Sequence, residues 1–254
     1  MSAIFLKPMS FTASSASPAP LMGSVKNMTT DRATYWSGNG TSSFIIDLGA
    51  DHKPYDMITL VGTNLNANDQ WQVTTATNAA ATSVAYQSPT LSAWAGMDKP
   101  DELKAKAFFR FPSQRNERYI QVNFVSTNPT VEVTRLVVGK QIKVGGIQPN
   151  AEQGFDDQSV ITSGAGYYTV SRKQVVLSWK FTTTWIKPLD WRLLWNPLML
   201  WAGSSRALLF IPFDGDSTAW QTEAVFGRIT TKASGKIDAS EQYIVDATIT
   251  ALAP

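Results

Sequence analysis

The chain has 254 residues, a formal net charge of +2 and no cysteine. That length is enough for one or two domains with sizeable cores. The balanced charge, without a basic cluster among aromatic residues, argues against a nucleic-acid partner. The lack of cysteine excludes a disulfide framework, a thiolate metal site and a cysteine nucleophile.

The first 140 residues show strand patterns and no convincing helix. The apolar patch 4–6 is predicted as an N-terminal arm or a first strand, and the Ser-, Ala- and Pro-rich stretch 11–20 as an extended connection. Polar loop residues surround Tyr35 and Trp36. Strands are predicted where apolar residues cluster or alternate, at 44–48, 57–62, 71–75, 108–111, 119–125 and 131–138.

The second half begins with a Gly-rich, polar stretch that predicts a linker or interaction loop. After it, 170–183 alternates as a half-buried strand, with Val175, Leu177, Trp179 and Phe181 on one face. Further strands are predicted at 206–213, 220–231 and 241–252. The predicted divisions are an arm or linker at 1–20, a first domain at 21–140, a linker or interaction loop at 141–169 and a second domain at 170–254.

The densest apolar run, 185–212, holds four of the nine tryptophans. A membrane span would place Asp190, Arg192 and Arg206 in hydrocarbon, which is costly. Helix signals fit the run better, because Pro188 suits a first helical position and Gly203 a stop. Asn196 before Pro197 predicts a second start with Asn196 as its cap. We therefore predict a broken, mostly buried helix at 188–202.

The helix has an apolar stripe that predicts core packing. Trp191, Leu194, Trp195 and Leu198 follow the i, i+3, i+4, i+7 spacing of one helical face. Met199 and Trp201 lie off this stripe, so they are candidates for a contact with a neighbouring subunit.

Catalytic and metal-binding patterns are weak. His52 is the single histidine and is predicted as a solvated loop residue. Asp156 and Asp157 are adjacent, whereas a glycosidase needs two carboxylates that face each other across a cleft. Gly164 and Gly166 do not precede the Lys and Ser/Thr of a phosphate-binding loop. We predict no enzymatic activity, no cofactor and no metal.

Sugar binding is the one ligand hypothesis that the loops favour. Sugars stack on exposed aromatic rings and are held by polar side chains. The candidate glycan-binding residues are Arg32, Tyr35, Trp36, Asn39, Asn64 and Trp94. Trp36 has an alternative role as a core residue, because tryptophan is highly buried on average. Trp94, which lies between small residues, is predicted to be an exposed ring or a contact with another subunit.

The first half resembles the discoidin, or galactose-binding-like, family. NMTTDRATYWSG, SSFIIDLGA, MITLVGTNL, RYIQVNFV and VEVTRLVVG follow one another in the order of that family's segments, from about Asn27 to Gly139. The resemblance implies a jelly roll of about eight strands, which often binds sugars through loops at one end.

The second half resembles a module from the tails of long-tailed bacteriophages, from about Val170 to the end. The segments are VVLSWKFT, a helix, ALLFIPFD, WQTEAVFGRIT and YIVDATITAL. The resemblance implies a β-sandwich with a packed helix that assembles as a ring. Distal-tail proteins usually place the ring module first, so the reversed order here leaves the position in the tail open.

Together these patterns predict a mainly β protein, with an N-terminal β jelly-roll sandwich and a C-terminal antiparallel β-sandwich that carries one packed, broken helix. The preferred hypothesis is a structural component of a phage tail tip or distal tail. Its expected partners are copies of itself in a ring, other tail proteins and host surface carbohydrate. We expect it in the virion, after synthesis in the host cytoplasm without a signal peptide. The alternative is a monomeric carbohydrate-binding module that targets a surface or an enzyme.

Overall fold

The computed structural model describes residues 2–17, 36–100, 105–145, 147–157, 159–164, 167–172, 174–183, 185–215, 217–231, 234–237 and 241–252. Contacts divide the chain into two compact units. The N-terminal unit contains Leu6–Gln141 and a later segment, Gly215–Thr222. The C-terminal unit contains Met1–Phe5, Ile142–Asp214 and Glu223–Ala253. Both units therefore combine distant parts of the sequence.

The described part of the chain is mainly β, as predicted. Its strands are β1 Ala3–Leu6, β2 Thr12–Ser17, β3 Trp36–Asp47, β4 Tyr55–Thr63, β5 Gln70–Ala76, β6 Val84–Gln87, β7 Leu91–Ser92, β8 Ala105–Arg115, β9 Tyr119–Gly139, β10 Gln141–Val144, β11 Glu152–Asp157, β12 Val160–Gly164, β13 Tyr167–Ser171, β14 Val175–Thr182, β15 Leu208–Ile211, β16 Val225–Ile229, β17 Ser234–Ile237 and β18 Tyr243–Ala251. Its helices are α1 Pro188–Asp190, a π-helical turn Trp191–Trp195, α2 Asn196–Ala202 and α3 Trp220–Glu223.

Two long strands organise the N-terminal unit. The first part of β9 pairs with the end of β3 and with β5, and its last part pairs with the start of β3 and with β4. The change occurs at an irregularity between Asn39 and Thr41. A Cβ on Gly40 would meet the carbonyl oxygens of Ser126 and Asn128 there. Bulges of this kind let one strand serve two packed layers.

The core of the N-terminal unit lies between these layers, and strand alternation supplies it. Phe44, Ile46, Val122 and Phe124 point inward from the paired parts of β3 and β9. Arg118 reaches Asp47 with two hydrogen bonds of 2.6 and 2.7 Å at the edge of this core. The hydrogen bond from Arg118 lowers the pKa of Asp47 below its ordinary value.

The C-terminal unit is built on one sheet with the order β10-β1-β15-β16-β18-β14-β11, and β17 also pairs with β18. Strand β1 lies inside this sheet, and all four of its residues are buried. Of the two predictions for this patch, the structure has the first strand and not the arm. Burial of these four apolar residues in the sheet is more favourable in free energy than their exposure in a connection.

The predicted linker at 141–169 also contains strands. Strand β10 forms one edge of the C-terminal sheet, and β11 forms the other edge by pairing with β14. Strands β12 and β13 form a separate two-stranded hairpin. The stretch predicted as a linker therefore contributes strands to the C-terminal unit.

The helix packs on the sheet through the predicted stripe. Trp195 and Leu198 are buried with Phe5, Phe210 and Val225. Pro188 begins the helix and Gly203, at φ 50°, ends it, both as predicted.

The predicted cap at Asn196 is wrong. Asn196 has helical backbone angles, and its N–H donates to the Trp191 carbonyl five residues back. The resulting π-helical turn continues the helix up to Pro197, which lacks an N–H of its own.

Two strand boundaries differ from prediction. The predicted strand 220–231 begins instead with helix α3, and only Val225–Ile229 is a strand. The predicted strand 170–183 is divided into β13 and β14; Trp179 and Phe181 point inward as expected, but Val175 is exposed and Val176 is buried. None of the helices in the described part of the chain reaches the length and apolar character needed to span a lipid bilayer.

Candidate functional site

The two tryptophans predicted for sugar stacking are both inside the N-terminal core. The ring of Trp36 lies 5.1 Å from that of Phe44 and 5.7 Å from that of Phe124, and it is fully buried. Trp36 therefore has the core role that was predicted as the alternative to sugar stacking. Trp94 is also fully buried, and its Nε1 donates to the Leu65 carbonyl at 3.0 Å. The prediction that Trp94 is exposed was wrong, because its indole closes the core beneath its own loop.

The polar loop residues around Asn64 hold the backbone in place. The side chain of Asn64 donates to the Thr130 carbonyl at 2.9 Å and accepts from the Glu132 N–H at 2.8 Å. Asp69 accepts hydrogen bonds from the N–H groups of Asn66 and Thr127. These groups are occupied by the chain itself, so they join two loops rather than present free donors to a sugar.

The remaining glycan-binding candidates do not form a common site within the described residues. Asn39 is exposed on β3, so it lies on a strand and not in a loop. Arg32 and Tyr35 lie outside the described residues. The structure therefore brings none of the six candidates together around an exposed aromatic ring within the part of the chain that it describes.

The candidate acid–base groups have local structural contacts. Both ring nitrogens of His52 lie near backbone carbonyls, Nδ1 at 2.7 Å from Gly49 and Nε2 at 3.0 Å from Asn116. His52 is half-buried between two loops, which corrects the predicted solvated position. Asp157 accepts from the Ser159 N–H, and hydrogen bonds from Ser159 lower the pKa of its carboxyl. Within the described ranges, no three His, Cys, Asp or Glu side chains are grouped to hold a metal ion.

A cleft of about 430 Å³ lies in the N-terminal unit, at a place the sequence analysis did not identify. Trp220 of α3 packs edge-on against Phe108, with ring centroids 5.6 Å apart, and the Arg110 guanidinium lies 5.0 Å from the Trp220 ring centre. The cleft combines these aromatic and cationic groups with hydroxyl groups: its lining includes Thr90, Ser92, Phe108, Arg110, Ser217 and Trp220.

Lys106 anchors the segment that carries Trp220. Its ammonium donates to the Gln221 carbonyl at 3.3 Å. Burial lowers the pKa of Lys106 to about 8. Segment 215–222 thus belongs to the N-terminal unit through contacts that are far apart in sequence, and no local pattern near Trp220 could have revealed the cleft.

Met199 and Trp201, the predicted interface residues, are half-buried against the core of their own unit. The Arg206 guanidinium covers Trp201 at 5.5 Å from its ring centre. A different set of helix residues faces solvent. Leu189, Leu193 and Leu200 are 65%, 64% and 77% exposed, and the neighbouring Trp185 is 71% exposed.

We call Trp185, Leu189, Leu193 and Leu200 the helix face. Leu189 and Leu193 are one helical turn apart, and Leu200 is exposed further along the helix, beyond the π-helical turn. Trp185 has φ +58°, a left-handed conformation that is unusual for a bulky side chain. The sequence did carry a signal for this face: a helix with apolar residues on two sides needs two apolar partners.

The hairpin of β12 and β13 carries a second exposed apolar surface. Ile161 lies opposite Val170, and Ser163 opposite Tyr168, so these four side chains share one side of the hairpin. Ile161 and Tyr168 are 70% and 75% exposed, and Val170 is also exposed. We call Ile161, Tyr168 and Val170 the hairpin face.

Exposed apolar side chains are unevenly distributed between the two units. Of the large ones among the described residues, Val84 and Val125 belong to the N-terminal unit, and eleven belong to the C-terminal unit. Scattered exposed apolar residues are normal, whereas contiguous groups mark contact surfaces. Among the described residues, the exposed large apolar side chains are therefore concentrated on the C-terminal unit.

Comparisons with known proteins are limited to part of the chain. No family model and no curated protein matches the sequence. The family 32 carbohydrate-binding module of Clostridium perfringens NanJ, solved with galactose, is similar over 53% of this chain and 98% of its own, with 13% identity and a TM-score of 0.40.

Two other solved structures are similar over about half of the chain. The corresponding module of AlyQ, solved with 4,5-unsaturated mannuronic acid, covers 53% of this chain and 96% of its own, with 19% identity and a TM-score of 0.35. A Ruminococcus gnavus GH29 fucosidase, solved with fucose, covers 46% at 20% identity and a TM-score of 0.33, and the match spans only 22% of the fucosidase. The strands and core clusters define the fold of this chain, because structural similarity at these TM-scores is too low to define it.

Proposed function

We propose that this protein is a structural component of a larger assembly and that its copies join through the C-terminal unit. The concentration of exposed apolar side chains on that unit carries the proposal. Burial of such surface is the main favourable term in most protein associations. The helix face alone exposes on the order of 500 Å² of apolar surface, which is near the upper range for an ordinary monomer.

The more specific assignment is a component of a bacteriophage tail tip or distal tail, located in the virion. It is supported by the resemblance of the segments from Val170 onward to a tail module. A ring or another repeated arrangement would bury the same surfaces in each copy. Other tail proteins would be the further partners.

Light scattering after size-exclusion chromatography tests the general proposal. We expect the mass of the full-length protein to rise with concentration towards a multiple of the monomer mass. A monomer mass at every concentration would contradict assembly of copies through the C-terminal unit. For the tail assignment, gold-labelled antibodies against the protein should decorate the tail tip of the native particle in electron micrographs.

Carbohydrate binding by the N-terminal unit is a second candidate function. The cleft beside Trp220 favours it, because aromatic rings, an arginine and hydroxyl groups are the groups that hold sugars. Host surface glycans would be the corresponding partner in a tail.

A carbohydrate array followed by calorimetry with any glycan retained tests this candidate. Arg110→Met keeps an apolar stem over Trp220 but removes the guanidinium, so affinity should fall by about tenfold or more. Arg115→Met is the matched control. It removes another ring-stacked arginine from the same strand, outside the cleft lining. Equal loss in both variants, or no retained glycan, would contradict sugar binding in the cleft.

A further inference from the structure

We infer that the hairpin face of one copy docks on the helix face of the next copy. This inference rests on the proposed assembly function and names the two surfaces that would meet. A second copy of this chain would occupy each face.

The hairpin leaves its apolar side uncovered within its own unit. Strands β12 and β13 pair only with each other among the described strands. Every described side chain in them is exposed. The hairpin continues the antiparallel pair of β11 and β14 beyond the sheet. Contact with an apolar surface would bury Ile161, Tyr168 and Val170, and would leave Val160, Thr162 and Thr169 on the opposite side.

The helix face has a suitable size for this contact. A standard interface buries about 800 Å² on each partner, of which somewhat more than half is apolar. The helix face, at on the order of 500 Å², matches that apolar share. Its residues come from a helix whose other side is fixed in the core by Trp195 and Leu198. The surface is therefore rigid, and docking requires little reorganisation.

Charge disfavours the pairing of two helix faces. Lys187 and Arg192 lie beside the helix face, and Asp190 is the single acidic residue of that segment. At the base of the hairpin, Asp156 and Asp157 are balanced in the sequence by Arg172 and Lys173. Two helix faces would bring like positive charges together. The contact of a helix face with a hairpin face avoids this repulsion.

A contact between two different surfaces has a consequence for assembly. Each copy keeps one free hairpin face and one free helix face after it binds a neighbour. Such head-to-tail contacts generate either a closed ring or an open filament. The same two surfaces would therefore repeat through the whole assembly.

Complementation between two variants tests the inference in the full-length protein. Leu193→Asp disables the helix face, and Ile161→Asp disables the hairpin face. We expect each variant alone to be monomeric at concentrations where the wild type is larger. An equimolar mixture should form a dimer and nothing larger, because one intact hairpin face meets one intact helix face.

Val84→Asp is the matched control, since it places the same charge at an exposed apolar position of the N-terminal unit. It should assemble as the wild type does. All three substituted positions are exposed, and thermal unfolding of each variant verifies its folding.

Cysteine cross-linking gives a second measurement because the chain has no cysteine. A variant with both Ile161→Cys and Leu193→Cys should give a ladder of disulfide-linked multimers on mild oxidation. Either single variant should run as a monomer on a denaturing, non-reducing gel, because it cannot form a disulfide between the two faces.

The outcomes separate the two levels of the proposal. A mixture that stays monomeric, or loss of assembly in Leu193→Asp but not in Ile161→Asp, would overturn the hairpin-to-helix contact while leaving assembly itself intact. A wild-type protein that is monomeric throughout would contradict the assembly function as well.

Discussion

Single side chains of the N-terminal unit act mainly as connectors between loops and strands. Trp94 joins its loop to Leu65, Asn64 joins β4 to β9, and Asp69 holds the turn near Thr127. Trp94 and Asp69 are buried and Asn64 is half-buried. Each has a polar atom that requires a partner, because unsatisfied buried polar groups are costly. The residue types that suit sugar binding were used here for loop closure.

Trp94→Ala should lower the free energy of unfolding by about 3–5 kcal/mol, because it removes a fully buried ring and leaves a cavity. Trp94→Phe should lower the free energy of unfolding by less, because most of the side-chain volume is retained, although the hydrogen bond to the Leu65 carbonyl is lost. Urea unfolding measures both. If Trp94→Ala were as stable as the wild type, the ring would not be a core element.

Lys106→Met should stabilise the protein at neutral pH, by roughly 1 kcal/mol or more, since it removes a buried ammonium. Burial lowers the pKa of Lys106 from 10.5 to about 8. Between those values the unfolded chain binds more protons at this group than the folded chain does, so wild-type stability rises with pH.

The stability difference between Lys106→Met and the wild type should therefore shrink as pH rises from 8 towards 10.5. Denaturant unfolding at several pH values measures it. A difference that does not depend on pH would contradict the lowered pKa.

At the level of elements, the helix 188–202 shows how one segment serves two purposes. Its inner side packs on β1 and β15 through Trp195 and Leu198, and the π-helical turn carries it past Pro197. Trp191 stacks on Tyr243 of β18, with ring centroids 4.7 Å apart and planes 7° apart. The outer side, with its three leucines, has no partner within its own unit's core cluster.

Strand β17 depends on a close approach to Trp191. A Cβ on Gly235 would overlap the six-membered part of the Trp191 ring. Gly235→Val should therefore displace β17 or Trp191 and lower the free energy of unfolding by about 1–3 kcal/mol. Gly215→Val is the control, because a Cβ on Gly215 would enter open space. Similar stability of the two variants in thermal unfolding would show that β17 tolerates a side chain.

For the whole molecule, the two units divide the roles. The N-terminal unit satisfies its apolar side chains internally, around the long strands β3 and β9, and presents a cleft. The C-terminal unit leaves apolar side chains exposed to solvent on a helix and on a hairpin. A unit with a cleft and a unit with exposed apolar faces are the features that the proposed assembly function requires.

Assembly through these apolar surfaces should weaken on cooling, because hydrophobic association loses strength at low temperature. Light scattering of the full-length protein near freezing should give a smaller mass than at room temperature. Added sulfate should restore the larger mass. Assembly that strengthens on cooling would indicate an interface dominated by polar contacts instead.

The sequence predicted the elements that depend on local chemistry. Alternation located most strands, and Pro188 and Gly203 located the ends of the helix, because turn and cap preferences act over a few residues. It also placed Trp195 and Leu198 in a core, since helical spacing defines one face. It did not predict the edge-strand role of 141–169, because sheet partners are chosen among segments distant in the chain.

What the sequence by itself determined was a mainly β chain with one apolar helix and few catalytic groups. The tertiary structure decided which apolar residues are covered. It buried Trp36 and Trp94, moved Ala3–Leu6 into the C-terminal sheet and brought Trp220 to the N-terminal unit. It also left the second side of the helix exposed. Periodicity states which residues share a face, whereas burial depends on which distant segment packs against that face.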